Sequence, residues 1–296
     1  MSNTHHLFTI HFWGVRGSIA CPGPETVRYG GNTPCVEMRV GNERLIFDGG
    51  TGLRVLGQSL LSQMPVKAHI FFTHSHWDHI QGFPFFSPAF VKNNRFDIYG
   101  AISPNGSTIE KRLTDQMTHP NFPVPLRVMQ ADLRFYDLEV GESVKIGEIT
   151  IENALLNHPG EAIGYRVNWR GYSAAYITDT EHRPEGLDPN VFRLATDADV
   201  MIYDATYTDE EYYATRMGWG HSTWQEAIKL AKAANVKKLV IFHHDPLHND
   251  DFLDRVGELA VQQYKNTIMA REGLVISLAE SPVPNPMPLQ EVKISV

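Results

Sequence analysis

The densest run of ligand chemistry in the 296-residue chain is His74-Ser-His76-Trp-Asp78-His79, which directly follows an apolar run from Lys67 to Thr73. Imidazole nitrogens and a carboxylate packed this closely supply both donor types that borderline divalent metals take. A tight turn at a strand end can aim them at two neighbouring ions. Single donors recur in the same setting. His158 follows Leu155-Leu156-Asn157, Asp179 follows Ala175 to Thr178, Asp204 follows Val200 to Tyr203, and His243 and His244 follow Leu239 to Phe242. Loops at one end of a sheet converge, so these residues could complete a site begun at 74–79. Taken one at a time, each also fits a cap or a turn.

Read in order, Asp48 in an Asp-Gly-Gly-Thr-Gly turn, the HxHxDH loop, His158, Asp179 within Thr178-Asp-Thr180, and His243 resemble the metallo-β-lactamase-fold hydrolase superfamily over most of the chain. The resemblance implies an α/β fold, a four-layer αββα sandwich with two metals at one edge. It implies that His74, His76 and His158 hold the first metal and Asp78, His79 and His243 the second, with Asp179 between them. Asp48 would accept hydrogen bonds that fix the HxHxDH loop. His244 competes for the last position, and His243 is preferred because it directly follows the strand. Zn suits such a donor set best, with Mn or Fe compatible. Two divalent ions about 3.5–4 Å apart clamp an anionic ester and activate water near neutral pH.

Within that superfamily, Ile202-Tyr-Asp204-Ala-Thr206 and Gly220-His221-Ser-Thr223 are similar to the paired HEAT and HS(S/T) motifs of the tRNase Z-like phosphodiesterases. Asp204 stands where that branch usually carries Glu, one methylene shorter. The resemblance makes His221 the group that meets the scissile phosphate or protonates the leaving oxygen, oriented by Asp204. Asp78, His221 and Asp204 are thus the expected catalytic set. The segment between His158 and Asp179, where that branch carries its tRNA-binding arm, has no room for one. Phe12-Trp-Gly-Val-Arg-Gly-Ser18 and Val27-Arg-Tyr-Gly-Gly-Asn-Thr33 resemble a bacterial phosphodiesterase-like subgroup, which implies a small phosphodiester, with 3',5'-cyclic nucleotides leading. Arg16, Ser18 and Asn32 could reach its phosphate or base; equally, the glycines could simply build turns and leave Arg16 a surface charge. Gly49-Gly-Thr-Gly52 lacks the lysine and spacing of a phosphate loop. The alternatives are a carbon-ester, thioester or lactone hydrolase on the same metals, then an RNA 3'-end nuclease or a non-hydrolytic di-iron protein.

The elements that must position these groups can be read from periodicity. Leu7 to Trp13 alternates as a strand, and Cys35 to Val40 and Leu45 to Asp48 flank a Gly41-Asn42 turn. A helix after Gly52 carries Leu53, Leu56 and Leu60 on one face. Lys67 to Thr73 and Leu239 to Phe242 read as strands, the former buried on both faces. Ile149 to Leu156, Ile163 to Trp169, Ser173 to Ile177 and Val200 to Tyr203 read as further strands. Thr223 to Ala234 opens on a Thr-x-x-Glu capping box, and another helix covers Asp251 to Tyr264. Residues 82–135 loosen into an aromatic, proline-interrupted stretch expected to be a flap or insertion near the site, or a dimer contact. Tyr207, Tyr212, Tyr213 and Trp219 could offer a base-stacking face ahead of His221. The tail 281–296 is expected to be extended. The whole reads as one domain spanning 1–296.

Composition bounds the rest. Lys and Arg total 26 against 34 Asp and Glu, for a net charge of -8, with 14 His and 2 Cys. The acidic balance argues against a broad phosphate-tracking surface, so the expected partner is a small phosphodiester and no long nucleic acid, with a homodimer open. No apolar window approaches a membrane span and no secretory signal is read at the start. Cys21 and Cys35 cannot build a disulfide framework, and a cytoplasmic setting is expected.

Overall fold

A computed structural model describes residues 7–279. In chain order the strands are β1 (Phe8–Gly14), β2 (Cys35–Val40), β3 (Glu43–Phe47), β4 (Lys67–Phe71), β5 (Arg95–Ala101), β6 (Asp132–Leu138), β7 (Ser143–Ile146), β8 (Ile149–Leu156), β9 (Ala162–Trp169), β10 (Tyr172–Ile177), β11 (Val200–Asp204), β12 (Leu239–Phe242), β13 (Thr267–Met269) and β14 (Val275–Ala279). The helices are α1 (Thr51–Leu60), α2 (Trp77–Ile80), α3 (Ile109–Gln116), α4 (Pro189–Ala195), α5 (Asp209–Glu211), α6 (Trp224–Ala233) and α7 (Asp250–Gln263).

The strands form two seven-stranded sheets, ordered β14-β1-β2-β3-β4-β5-β6 and β13-β12-β11-β10-β9-β8-β7. Each joins an antiparallel half to a parallel half: β3 to β6 run parallel in the first sheet and β10 to β13 in the second. The sheets face each other across an apolar layer. Phe47 lies 5.4 Å from Phe71 and 5.6 Å from Tyr165, and Tyr176 lies 5.7 Å from Phe242, ring centre to ring centre. Outside the first sheet, α1 and α3 bury Leu53, Leu56, Leu60, Ile109 and Leu113; outside the second, α4, α6 and α7 bury Val191, Leu194, Ala227, Ile228 and Val256. The architecture is the αββα sandwich.

Local sequence explains most elements. The outer-half strand β1 alternates buried and half-buried residues, as a strand covered on one face should, whereas β11 and β12 are buried along their whole length between helices and the other sheet. At the start of α6 the Thr223 hydroxyl accepts the Glu226 N–H at 3.2 Å, but the Glu226 carboxylate turns to Lys229, so only half of the capping box forms.

The stretch 82–135 departs most from its reading. It contains β5, α3 and the start of β6, which extend and cover the first sheet. Its periodicity is obscured because inner positions of β5 carry Asp97 and Tyr99 in place of aliphatic residues. Phe83 and Phe86 are core residues, and Phe85, 55% exposed, packs edge-on against Phe122 at 5.7 Å. The tail 281–296 lies outside the described residues. Among the described residues no helix is long and apolar enough to cross a membrane.

Candidate functional site

The expected site residues lie at or just past the C-terminal ends of β3, β4, β8, β10, β11 and β12, except His221 in the loop before α6, and they meet at one edge of the sandwich. Three strand ends turn sharply to deliver them. Asp48, Asp179 and His243 all have left-handed backbone, with φ of 60°, 61° and 63°. Such a conformation costs a non-glycine residue about 1 kcal/mol or more, which the surrounding packing must offset.

Two groups of donors divide the expected ligands, and a third combination, Asp204, His221 and His243, overlaps the second; all three share Asp179. Its Oδ2 lies 3.5 Å from His74 Nε2 and 3.7 Å from His158 Nε2, while His158 Nε2 is 3.1 Å from His76 Nδ1. Its Oδ1 lies 3.2 Å from both His79 Nε2 and His243 Nε2, each of which is also 3.3 Å from Asp78 Oδ2. One carboxylate thus turns one oxygen to each group, as a bridge between two cations would. The donor set fits divalent metal: His74 Nε2 and His79 Nε2 are buried without any hydrogen-bond partner, an arrangement costly unless a ligand takes the lone pair. Burial, reinforced by the neighbouring His79, holds His74 well below the usual imidazole range, so it stays neutral. Burial pushes Asp179 upward, but His243, His79 and His74 outweigh it and keep the carboxylate ionised. Burial likewise disfavours a charged His79, yet Asp179, Asp78 and Asp48 pull it well upward; this corner of the cleft demands positive charge.

The far nitrogens of the rings are fixed by two similar arrangements, one on each sheet. Asp48, fully buried, accepts from His79 Nδ1 at 2.9 Å, from the Tyr176 hydroxyl at 2.9 Å and from the Thr73 N–H at 2.8 Å. The Thr73 hydroxyl donates to Asp48 at 3.0 Å and accepts from His74 Nδ1 at 3.0 Å. On the other sheet Asp204 accepts from His221 Nδ1 at 2.9 Å and from the Thr206 hydroxyl at 2.7 Å, which in turn accepts from His243 Nδ1 at 3.0 Å. A carboxylate therefore holds one imidazole directly and a second through a threonine on each side. These bonds set each tautomer and leave Nε2 facing the cleft. His158 Nδ1 donates to the Gly220 carbonyl at 2.8 Å to the same effect. Thr73, Thr206 and Tyr176 escaped sequence reasoning; an unremarkable hydroxyl beside a motif carries no ligand signal of its own.

His221 sits between the two groups, its ring 5.2 Å from His158 and 4.8 Å from His243. The shorter Asp204 reaches it because Asp204 ends β11 itself, held by the Thr180 and Thr206 N–H groups at 3.0 and 3.2 Å. Burial works against a charged His221, but Asp204 and then Asp179 and Asp78 outweigh it and raise the pKa to about 9.

Other expectations resolve differently. His244 is turned away, its Nε2 donating to the Ala270 carbonyl at 2.8 Å. Arg16 is neither a surface charge nor open to the cleft. It is fully buried and donates to the backbone carbonyls of Gly30, Asp245 and His248 at 2.9, 3.2 and 2.6 Å, stapling the first loop to the one after β12. Asn32 is tied to Glu272 at 3.0 Å. Ser18 does reach the site, through its backbone: its N–H donates to Asp78 Oδ2 at 2.8 Å. The glycine before it is needed because a Cβ on Gly17 would sit 2.4 Å from the His243 ring. Of the aromatic run before His221, Tyr207 and Tyr212 are buried, while Tyr213 and Trp219 are exposed.

A profile of the β-lactamase superfamily domain matches residues 43–244, from β3 through both donor groups to His244. The chain belongs to the β-lactamase superfamily. This superfamily member is 27% identical to the Ribonuclease Z of Picrophilus torridus over 90% of this chain and 94% of that protein, and 23% identical to the Ribonuclease Z of Archaeoglobus fulgidus over 90% and 96%. Its fold is that of the metallo-β-lactamase fold protein YhfI from Bacillus subtilis, with a TM-score of 0.68 at 17% identity over 92% of this chain and 99% of that one. It falls in the tRNase Z-like branch and is a metal-dependent hydrolase, whose superfamily fold implies divalent metals at the two donor groups.

These relatives overturn the expectation of a small substrate and no long nucleic acid. The physical error was to read a whole-molecule charge as a local one. Asp48, Asp78, Asp179 and Asp204 belong to the -8, yet all four are buried in the site, where cations would offset them. The missing arm is real: β9 and β10 close at Trp169 opposite Tyr172, in a tight hairpin.

Proposed function

We propose that this superfamily member hydrolyses phosphodiester bonds of RNA with two zinc ions, one held by His74, His76 and His158, the other by Asp78, His79 and His243, with Asp179 between them. The observation that carries the reading is the His221–Asp204 pair at 2.9 Å beside both donor groups. A carbon-ester hydrolase needs the same metals but no such acid. The curated relatives' names support RNA as the polymer, and the imidazole-rich donor set supports zinc.

Held by those residues, divalent ions would supply neutralising charge for the phosphate oxygens and a water activated near neutral pH. The chain supplies the rest. Asp179 and Asp78 remain ionised and fix the spacing of the two positions. Thr73, Thr206 and the Gly220 carbonyl hold His74, His243 and His158 so that each presents Nε2. His221, protonated and oriented by Asp204, gives its Nε2 proton to the departing oxygen, which is worth about 10²–10⁴ in rate. Asp204, 2.9 Å from His221 Nδ1, stabilises the imidazolium before transfer.

The test is elemental analysis together with hydrolysis of a precursor-tRNA transcript and of bis(4-nitrophenyl) phosphate. Two zinc ions per chain are expected. His221→Ala should slow both substrates while keeping both ions, and Asp179→Ala should abolish activity with loss of metal. A native protein devoid of metal, or a His221→Ala variant of undiminished activity, removes the reading.

A further inference from the structure

Without an arm between β9 and β10, an RNA strand must be gripped elsewhere, and the segment just before His221 has unspent chemistry. Arg216 ends a short π-helical turn, Tyr212–Arg216. Its guanidinium carbon lies over two rings, 4.4 Å from the Trp219 centroid and 5.8 Å from that of Tyr207. Tyr207 in turn is 6.1 Å, edge-on, from the His221 ring. Among the described residues Arg216 has no carboxylate partner, although the protein is acidic and other basic side chains such as Arg183 and Arg193 are paired. Trp219 is 55% exposed.

The segment is not a loose loop. The Glu181 carboxylate accepts from the Tyr212 hydroxyl at 2.6 Å, the Gly218 N–H at 2.6 Å and the Gly220 N–H at 2.9 Å. Gly220 is also tied to His158. Trp219 is therefore anchored on both sides and held beside the first donor group. His158 also meets His76 at 3.1 Å, and the residue after His76, Trp77, is 81% exposed. A fixed cation stacked on an exposed ring, next to the proton donor, is the combination that grips a single strand: charge for a phosphate, a flat face for a base.

We propose that Arg216 and Trp219 form a strand-binding subsite, in which Arg216 takes the phosphate adjoining the scissile one and Trp219 stacks on the neighbouring base. The inference rests on RNA being the substrate. Arg216 serves better than lysine here because its planar head can stack and bond a phosphate at once.

The test separates binding from chemistry. Binding of a fluorescein-labelled ten-nucleotide RNA is measured by anisotropy on the metal-loaded His221→Ala chain, in which cleavage of the probe is slowed, at several salt concentrations. Hydrolysis of bis(4-nitrophenyl) phosphate is measured with His221 intact. Arg216→Ala should weaken RNA about tenfold and lower the slope of log affinity against log salt by about 0.7, the value of one lost phosphate contact on a single strand. Trp219→Ala should weaken RNA about tenfold with the salt slope unchanged, and Trp219→Phe should restore most of it. Both changes should leave hydrolysis of the small diester within twofold. RNA affinity indifferent to Arg216, or equal losses on RNA binding and on the small diester, overturns the subsite. A chain that hydrolyses neither diester yet binds RNA through Arg216 keeps the subsite and sinks the proposed function, so the two fail separately.

Discussion

Asp204→Asn is the most discriminating substitution because one buried carboxylate serves two imidazoles with different tasks. The amide keeps the shape and removes the charge. Toward His221 it forfeits a charge-assisted hydrogen bond of 2.9 Å, a class of interaction worth about 1.5–3 kcal/mol. If that loss falls mainly on the imidazolium, the His221 pKa falls from about 9, so kcat should drop about 10–10²-fold on the alkaline side of pH 9, where the weakened imidazolium has lost its proton, and much less near pH 7. Toward His243 the amide disturbs the relay through Thr206, at 2.7 and 3.0 Å. Changes to such supporting partners typically cost about 10–100-fold in metal affinity. The variant should therefore lose activity, most at alkaline pH, and, under a mild chelator, release its second ion more readily than the native protein. Two companions separate the branches. His221→Ala should lower kcat and keep both ions, whereas Thr206→Val should weaken retention of the second ion with little effect at saturating metal. Chelator competition and initial rates at saturating zinc measure both quantities. The reasoning is refuted if Asp204→Asn retains both ions with native affinity, or if Thr206→Val lowers kcat at saturating metal as much as His221→Ala does.

Two further expectations follow from specific contacts. Gly17→Ala drives a Cβ to 2.4 Å from the His243 ring, so metal content should fall toward one ion per chain while circular dichroism and the thermal midpoint change little; two retained ions would contradict the packing. Glu211 reports on acid stability. Burial alone would raise its pKa, but the His248 and Thr208 hydrogen bonds lower it from 4.5 to about 2. Its stabilisation is thus complete above pH 4.5 and is lost as pH falls toward 2. In urea titrations Glu211→Gln should be less stable than the native protein at pH 6, with the gap closing between pH 4.5 and 2; a gap independent of pH would mean the carboxylate's charge contributes nothing.

Much of the frame was readable from local pattern. The strands β8, β9, β10 and β12 and the helices α1, α6 and α7 lie where alternation, continuous apolar runs and capping residues placed them, because each buries a face that its own sequence defines. The stretch from 82 to the end of β6 was not readable. There β5 and β6 carry Asp97, Arg134 and Tyr136 on positions whose burial depends on neighbouring strands, so their periodicity emerges only in the sheet.

For the site the division is sharper. His74, His76, Asp78 and His79 are brought together by six consecutive residues, and the strands preceding His158, Asp179, Asp204 and His243 are short and self-evident. Donor types and their strand-end positions are therefore local properties, open to sequence. Which nitrogen faces the cleft is not local. It depends on Asp48, Thr73, Asp204, Thr206 and the Gly220 carbonyl, most of them far along the chain from the rings they orient. The same holds for Arg16, whose type and glycine-rich setting left a substrate contact and a surface charge equally open until the loop after β12 closed over it. Sequence determined the chemistry available to this protein. Tertiary structure decided its direction, because hydrogen-bond geometry and burial are properties of neighbours that only folding supplies.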